Sequence, residues 1–445
     1  MSRLDPRVWW RGLGRLTRSG SAVEGLSWAL YDFANTIFSF AIVSFAMSLW
    51  SIRFLGEGPG QFWFTVAFSA SVLLNAAVSP VLGAMSDRAG RRKPFLAAFT
   101  VLCIAPTLLI GLVDIGLGLL FFAVANFAYQ AALIYYDALL PSVAHDETRG
   151  RLSGIGVALG YVGTIVSGLL YRLTTDAYGG STPASFLLVG SLFALFAIPI
   201  FVVVAERGPA TRFRPGDAIR SWAQLGTTIR HAREVPGLLR FIVGRLFYTD
   251  PVNTAIVVMS AFAVGAIGFT PAQALLILLL LTAVAVVASF GWGVLVDRWG
   301  PKRTLLAVLA SWTVGLLIIG LFLAPIPFLV AGAILGSGLG GVGVTDRLLL
   351  LRLAPRERVG EMLGLYGLAG KFSAVVGPFL YGTIVASLLE PLGSRAYQVA
   401  ILSLLVLMVI GFLIVRRIPD VGASVDDAAA VPLEPSIVPP GEQPA

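Results

Sequence analysis

The feature that most constrains this chain is a series of twelve apolar runs, each long enough to cross a lipid bilayer. They lie at roughly 25–52, 61–85, 94–114, 115–142, 152–172, 184–205, 237–265, 271–296, 303–323, 326–350, 361–387 and 395–415. A hydrocarbon core takes about 20 apolar residues per helical crossing, and lipid offers no partner to a free amide, so each run predicts a spanning α-helix. Only 13% of the 445 residues are charged, against about 25% in soluble domains. The expectation is an all-α membrane protein with six spans, a polar stretch, and six more. Residues 1–20 are basic and interrupted, and the first apolar run is too long for the core of a cleaved leader.

Lysine and arginine alternate sharply between loops. One set of segments carries 26 of the 32, the opposite set only Arg53, Arg172 and Arg395, and the remaining three (Arg245, Arg347, Lys371) lie within spans. Cytoplasmic loops retain basic residues, so both termini are expected in the cytoplasm. This placement beside spans also explains the net charge of +8 without nucleic acid. A lone cysteine, Cys103, excludes an intrachain disulfide or a thiolate metal cluster.

The expected organisation is a basic segment at 1–20, a six-helix bundle at 21–206, a linker at 207–236, a second bundle at 237–418 and a disordered tail at 419–445. In the linker, Ile219, Trp222, Leu225 and Ile229 recur near helical spacing among arginines. That suits either an amphipathic helix on the inner membrane surface or a solvated connection.

The halves repeat each other. Gly83, Asp87, Arg88, Gly90, Arg92 and Lys93 after span 2 match Gly293, Asp297, Arg298, Gly300, Lys302 and Arg303 after span 8, at an offset of 210. Asp32-Phe-Ala-Asn35-Thr36 in span 1 is echoed by Asp250-Pro-Val-Asn253-Thr254 in span 7, Asp137 in span 4 by Asp346 in span 10, and Gly154–Gly160 by Gly364–Gly370. Four correspondences in one order, with offsets of 209 to 218, point to a duplicated six-helix unit.

The glycine, Asp-Arg, glycine and basic-cluster loop resembles the signature loop of the major facilitator superfamily, which implies two pseudo-symmetric six-helix bundles. Physically, aspartate and arginines at helix ends can latch neighbouring helices through charge-assisted bonds, or the loop can simply fix topology. Trp28-Ala-Leu-Tyr31-Asp32, Tyr135-Tyr136-Asp137, Tyr248-Thr-Asp250-Pro-Val-Asn253 and Gly364-Leu-Tyr366-Gly-Leu-Ala-Gly370-Lys371 are similar to the "unknown major facilitator" branch, which includes the autophagy-related vacuolar amino-acid effluxers. Pro251, where that pattern has glycine, and Thr345-Asp346-Arg347, where it tends to serine and arginine, depart from it.

Ionisable residues inside spans are costly unless they face partners or water, which makes each a functional candidate. Asp32, Asp137, Arg245, Asp250, Asp346 and Arg347 fall on spans 1, 4, 7 and 10, the set that lines the cavity in the fold the resemblance implies; Lys371 falls on span 11. Asp32 with Asn35, and Asp250 with Asn253, share a helix face and can offer oxygens to a proton, Na⁺ or an ammonium group, or a static bond to a neighbouring helix. Tyr248 accompanies the second pair. Pro251 is expected to kink or open span 7. Asp137 and Asp346 lie near predicted span ends and reach either cavity or interface, and Arg347 can snorkel to the surface. Four aspartates against three basic residues leave one acid to titrate, Asp32 or Asp250.

Gly336-Ser-Gly338-Leu-Gly340-Gly341 mimics a nucleotide loop but sits in a span without a preceding strand, so helix packing explains it, as it does the Gly154, Gly156 and Gly160 run. His145 and His231 are far apart, and no metal site is expected. The chain is therefore expected to be a secondary transporter rather than an enzyme. Its expected substrate is a small polar solute, with amino acids or small peptides favoured. Transport is expected to be coupled to H⁺, with Na⁺ as the alternative, across a prokaryotic plasma membrane, with lipid around it, no cofactor and no obligate protein partner. A sugar or drug permease on the same fold, or a non-transporting sensor or scaffold, are the alternatives.

Overall fold

The computed structural model describes residues 13–89, 91–145, 148–175, 180–206, 216–355 and 358–419. All twelve apolar runs are helices long enough to span a bilayer. Spans 1 to 6 are Ala22–Leu55, Glu57–Ala89, Lys93–Leu112, Ile115–Val143, Arg149–Arg172 and Pro183–Val203; spans 7 to 12 are Leu238–Gly265, Pro271–Trp299, Pro301–Leu321, Pro325–Leu353, Val359–Leu392 and Arg395–Arg416. The expected boundaries fall close to these. The largest departure is the far end of span 11, which continues to Leu392.

Local chemistry sets the ends. The Asp114 carboxylate accepts from the Gly116 and Leu117 amides at 2.9 and 3.2 Å, capping span 4. Thr270 and Gln273 form a reciprocal capping box on span 8. Prolines open spans 6, 8, 9 and 10, where the missing amide proton costs no helical bond. Gly300, at φ +77°, turns span 8 into span 9 through backbone space that side-chain-bearing residues rarely adopt.

The duplication reappears in the packing. In the first half, span 1 packs on 5 and 6, span 2 on 4, and span 3 on 4 and 6; in the second half, 7 packs on 11 and 12, 8 on 10, and 9 on 10 and 12. Adding six to every member of the first set reproduces the second. Between the halves the symmetry fails: spans 2 and 11 pack along an extensive seam, whereas spans 5 and 8, their counterparts, barely touch.

Glycines in helix faces bring the spans close. A Cβ at Gly163 would lie 2.7 Å from the Phe33 carbonyl oxygen of span 1, and one at Gly336 would lie 2.9 Å from the Leu281 carbonyl oxygen of span 8. The glycine-rich run of span 10 is thus a packing surface, as its sequence context implies. Gly154 is different, with nothing within 4 Å of a Cβ there.

One correction and one addition concern irregular turns. Span 7 runs as unbroken α-helix through Pro251, whose ring is buried; neighbouring helices and hydroxyls let spanning helices absorb a proline without opening. The irregular turn lies in span 1 instead, where Ser39–Ala46 is π-helical. Its composition, SFAIVSFA, carries no breaker to announce it.

The linker forms a helix, Gly216–Glu234, packed on spans 2 and 11. Thr228 and Ala232 face inward, while Trp222 and Ile229 are exposed. The side chain of Ile219 and residues 207–215 lie outside what is described, as do 1–12 of the basic segment and 420–445 of the tail.

Candidate functional site

The site begins with the end of the molecule that is open. Opposite the arginine-rich loops the halves are tied together: Ser48 and Ser260 hydroxyls lie 3.0 Å apart, joining spans 1 and 7, and Tyr397 donates to Glu57 at 3.4 Å. At the arginine-rich end spans 2 and 11 part, leaving open space around Gly83 and Gly364. The cavity between them, about 660 Å³, is walled by spans 2, 4 and 11 and by Gln224, Leu225 and Thr228 of the linker helix. His231 Nδ1 lies 3.0 Å from Glu361 Oε1 and fastens that helix to span 11.

Two candidates face each other across this space. Asp137 is exposed to it from span 4, and Lys371, half-buried, lines it from span 11. The Lys371 ammonium donates to Asn75 Oδ1 and Ser79 Oγ of span 2, both at 2.8 Å. Asn75 is oriented by its own bond to the Phe127 carbonyl at 3.2 Å. Lys371 thus joins the two halves without an ion pair to any described residue, and Asp137 lies within electrostatic range of both Lys371 and exposed Arg347.

Asp32 stands one layer deeper. Tyr136 stacks on Trp28 at 4.6 Å and on Tyr31 at 5.1 Å, forming an aromatic wall beside the carboxylate. A Cβ at Gly156 would sit 3.3 Å from both Asp32 Oδ2 and the Tyr136 hydroxyl, so glycine there keeps the corner open. Trp28 Nε1, Asn35 Oδ1 and the Tyr136 hydroxyl are buried with no protein partner. Buried polar groups are normally paired, and unpartnered ones leave room for a bond to water or a ligand.

The remaining candidates are engaged elsewhere. Asp346, expected to reach either the cavity or the interface, reaches neither. It is 1% exposed, ion-paired with Arg245 and bonded to the Tyr248 hydroxyl, and it accepts from Tyr366 at 3.0 Å. The Arg245 guanidinium lies 3.7 Å from the Tyr366 ring centroid and donates to Thr249 at 3.2 Å. This is a closed network in which every charge has partners. Asp250, 3% exposed, accepts the Gly377 amide of span 11 at 2.9 Å, the static helix-to-helix bond that was the alternative to a binding role. Asn253 bonds Ser373 at 3.4 Å.

The loop residues divide likewise. The Arg92 guanidinium donates to the Ala138 carbonyl, and Lys93 Nζ to the Val204 carbonyl at 2.6 Å, tying loop 2–3 to spans 4 and 6. In the second half Asp297, Arg298 and Arg303 are exposed and Lys302 is half-buried; Gly293 has open space around it. The side chains of Asp87 and Arg88, and Gly90, lie outside the described residues. Among the described residues no cluster of histidine, cysteine, aspartate or glutamate is suited to a metal.

Asn75, Ser79 and Gly377 are neighbours of the candidate residues that sequence reasoning passed over, and Gly156 was read there as helix packing alone. Asn75 alone carries a sequence signal, an amide in an apolar span.

The chain matches the family model described as "Vacuole effluxer Atg22 like" over residues 63–428. It is 26% identical over 413 residues to an uncharacterized MFS-type transporter, YxiO, of Bacillus subtilis, covering 88% of this chain and 94% of that one. It is also 26% identical over 272 residues to autophagy-related protein 22 of Yarrowia lipolytica, covering 54% of this chain and 46% of that protein. Among solved structures, it superposes on the nucleoside transporter NupG with a TM-score of 0.66 at 13% identity, covering 88% of this chain and 98% of NupG. It superposes on a bacterial homologue of the human lysosomal transporter Spinster with a TM-score of 0.67 at 15% identity, covering 89% and 97%. These likenesses establish the major facilitator fold.

Proposed function

The chain belongs to the Atg22-like vacuole effluxer family of membrane transporters, and from that premise we propose that it carries a small zwitterionic solute, an amino acid or short peptide, by alternating access coupled to a proton. The observation that carries this reading is the pairing of exposed Asp137 with Lys371 across one cavity of about 660 Å³, one charge from each half of the molecule. A zwitterion needs both signs at a separation, in a space large enough to admit it. Bringing opposite charges from different bundles to one ligand also couples occupancy to the bundles' relative position.

Asp32 is the proton-carrying group in this scheme. Among the described residues no cation is bonded to its carboxylate, which lies within electrostatic range of Asp137 and sits among unpartnered polar atoms. Asp250 was the other candidate, but its bond to the Gly377 amide of span 11 favours a structural role. The cavity opens at the arginine-rich face, which the distribution of basic residues assigns to the cytoplasm. A full-length bacterial relative supports residence in a plasma membrane.

The test is uptake by purified protein in liposomes, with labelled amino acids, dipeptides and sugars offered under an imposed proton gradient. The expected outcome is gradient-driven accumulation of an amino acid or peptide, lost in Lys371→Met and Asp137→Asn. Asp32→Asn should still exchange solute but no longer respond to the gradient. Accumulation of sugars alone, or gradient-independent uptake by the wild type, would overturn the reading.

A further inference from the structure

A second cavity, separate from the one holding Asp137 and Lys371, lies between the halves beside the π-helical turn of span 1. It measures about 230 Å³ and is walled by spans 1, 5, 7, 8, 9 and 10. Its four Ser and Thr hydroxyls all turn back on their own helices. Ser39 donates to the Thr36 carbonyl at 3.2 Å, Ser44 to Ser39 at 3.1 Å, Thr164 to Gly160 at 3.4 Å and Thr282 to Leu278 at 2.9 Å. Trp312, also in the wall, turns its Nε1 edge, which has no hydrogen-bond partner, toward Gly338 rather than along the wall's hydroxyls. With those four protons committed, the wall has little beyond hydroxyl oxygens and the Tyr161 edge to replace the water of a polar solute, a cost that an apolar ligand avoids.

The cavity has a neighbour on its lipid side. Spans 5 and 8 meet near Gly168 and Leu279 and separate toward the arginine-rich end, where a cleft of about 440 Å³ opens between them. Tyr161 lines both the cleft and the inner cavity, so the two spaces adjoin at its ring. Along the cleft Val157, Val162, Val287 and Phe290 are 50, 47, 73 and 76% exposed. At these depths in spanning helices the surrounding solvent is hydrocarbon.

We propose that the hydrocarbon chain of a bilayer phospholipid enters between spans 5 and 8 and occupies this inner cavity past Tyr161, with its headgroup remaining outside. The size agrees: about 230 Å³ is smaller than the usual small-molecule pocket of roughly 300–1,000 Å³, so it accepts a chain end and not a headgroup. The cleft is continuous with the lipid-facing surface, which supplies the chain without an aqueous step. The site is independent of the solute cavity and stands whether or not the solute is an amino acid.

Trp312 provides the reporter, because it is 2% exposed and lines this cavity. The protein is reconstituted in phospholipid bearing dibrominated acyl chains, which quench tryptophan on contact, and in the same lipid without bromine. The emission that Trp312→Phe removes is the Trp312 contribution. It should be strongly reduced in brominated bilayers and regain its unbrominated intensity when the cleft is plugged by Ala158→Phe with Ala283→Phe, both at exposed positions. A Trp312 contribution of equal intensity in the two lipids would overturn the proposal.

Native mass spectrometry of the detergent-purified wild type and the plugged variant gives a second reading that does not depend on the tryptophan substitution. A phospholipid adduct retained by the wild type and lost on plugging supports the assignment. An adduct that is only detergent or a free lipophilic compound, or a phospholipid adduct that survives plugging, sinks it.

Discussion

At the scale of single residues, the structure separates charges closed in buried networks from charges that line the open cavity. Asp346 and Arg245 belong to the first kind, both buried, paired and surrounded by Tyr248, Tyr366 and Thr249. Removing one member of a buried pair strands the other, which typically costs about 3–5 kcal/mol, whereas replacing both by apolar groups of similar shape can be close to neutral. Arg245→Met is therefore expected to lower the unfolding temperature in detergent substantially, and Arg245→Met with Asp346→Leu to recover much of the loss. Lys371 belongs to the second kind. Its partners are neutral Asn75 and Ser79, so Lys371→Met strands no opposite charge bonded to it. That variant should unfold within a few degrees of wild type while losing solute-dependent thermal stabilisation, measured by titrating candidate solutes. Equal destabilisation by Arg245→Met and Lys371→Met would refute the division.

At the scale of helices, glycine position discriminates packing from open space. Gly163 abuts the Phe33 carbonyl of span 1, while Gly154, nine residues earlier on the same span, has no neighbour within 4 Å. Gly163→Ala must push two backbones apart, at about 1–3 kcal/mol. Gly154→Ala meets nothing and gains up to roughly 1 kcal/mol of helix propensity. Unfolding temperatures of the two variants should therefore move in opposite directions. This element-level grammar also explains what was legible beforehand. Twelve spans, the duplication and the ionisable residues were plain because hydropathy and charge in lipid are local properties of sequence. The partners were not, because which of Asp32, Asp137, Asp250 and Asp346 meets a cation depends on helix rotation and on spans distant in sequence, such as Gly377 against Asp250 or Asn75 against Lys371. The π-helical turn in span 1 was hidden for a further reason. It arises without glycine or proline, and Pro251, the residue that did look like a breaker, sits in an intact helix.

At the scale of the whole molecule, the two halves obey one packing plan internally but differ where they meet, tightly along spans 2 and 11 and loosely along 5 and 8. The end opposite the arginine-rich loops is held by short contacts, including the Ser48 and Ser260 hydroxyls at 3.0 Å. If solute crosses by rocking of the bundles, this contact must break once in every cycle, and a covalent bond there must stop transport without disturbing the fold. Oxygen atoms 3.0 Å apart on facing helices place two cysteine sulfurs within reach of a disulfide bond of about 2.05 Å after small side-chain rotations. Background reaction is minimal because the native Cys103 is fully buried. Ser48→Cys with Ser260→Cys is therefore expected to cross-link on mild oxidation, to lose uptake in proportion to the cross-linked fraction, and to regain it with reductant. A cysteine placed at Gly364, in the open cavity, should stay reactive toward a membrane-impermeant maleimide in the cross-linked protein, because the bond fixes the conformation in which that cavity is open. Full uptake by the oxidised variant would mean that this end of the molecule is not a gate and that solute takes some other route past the two bundles.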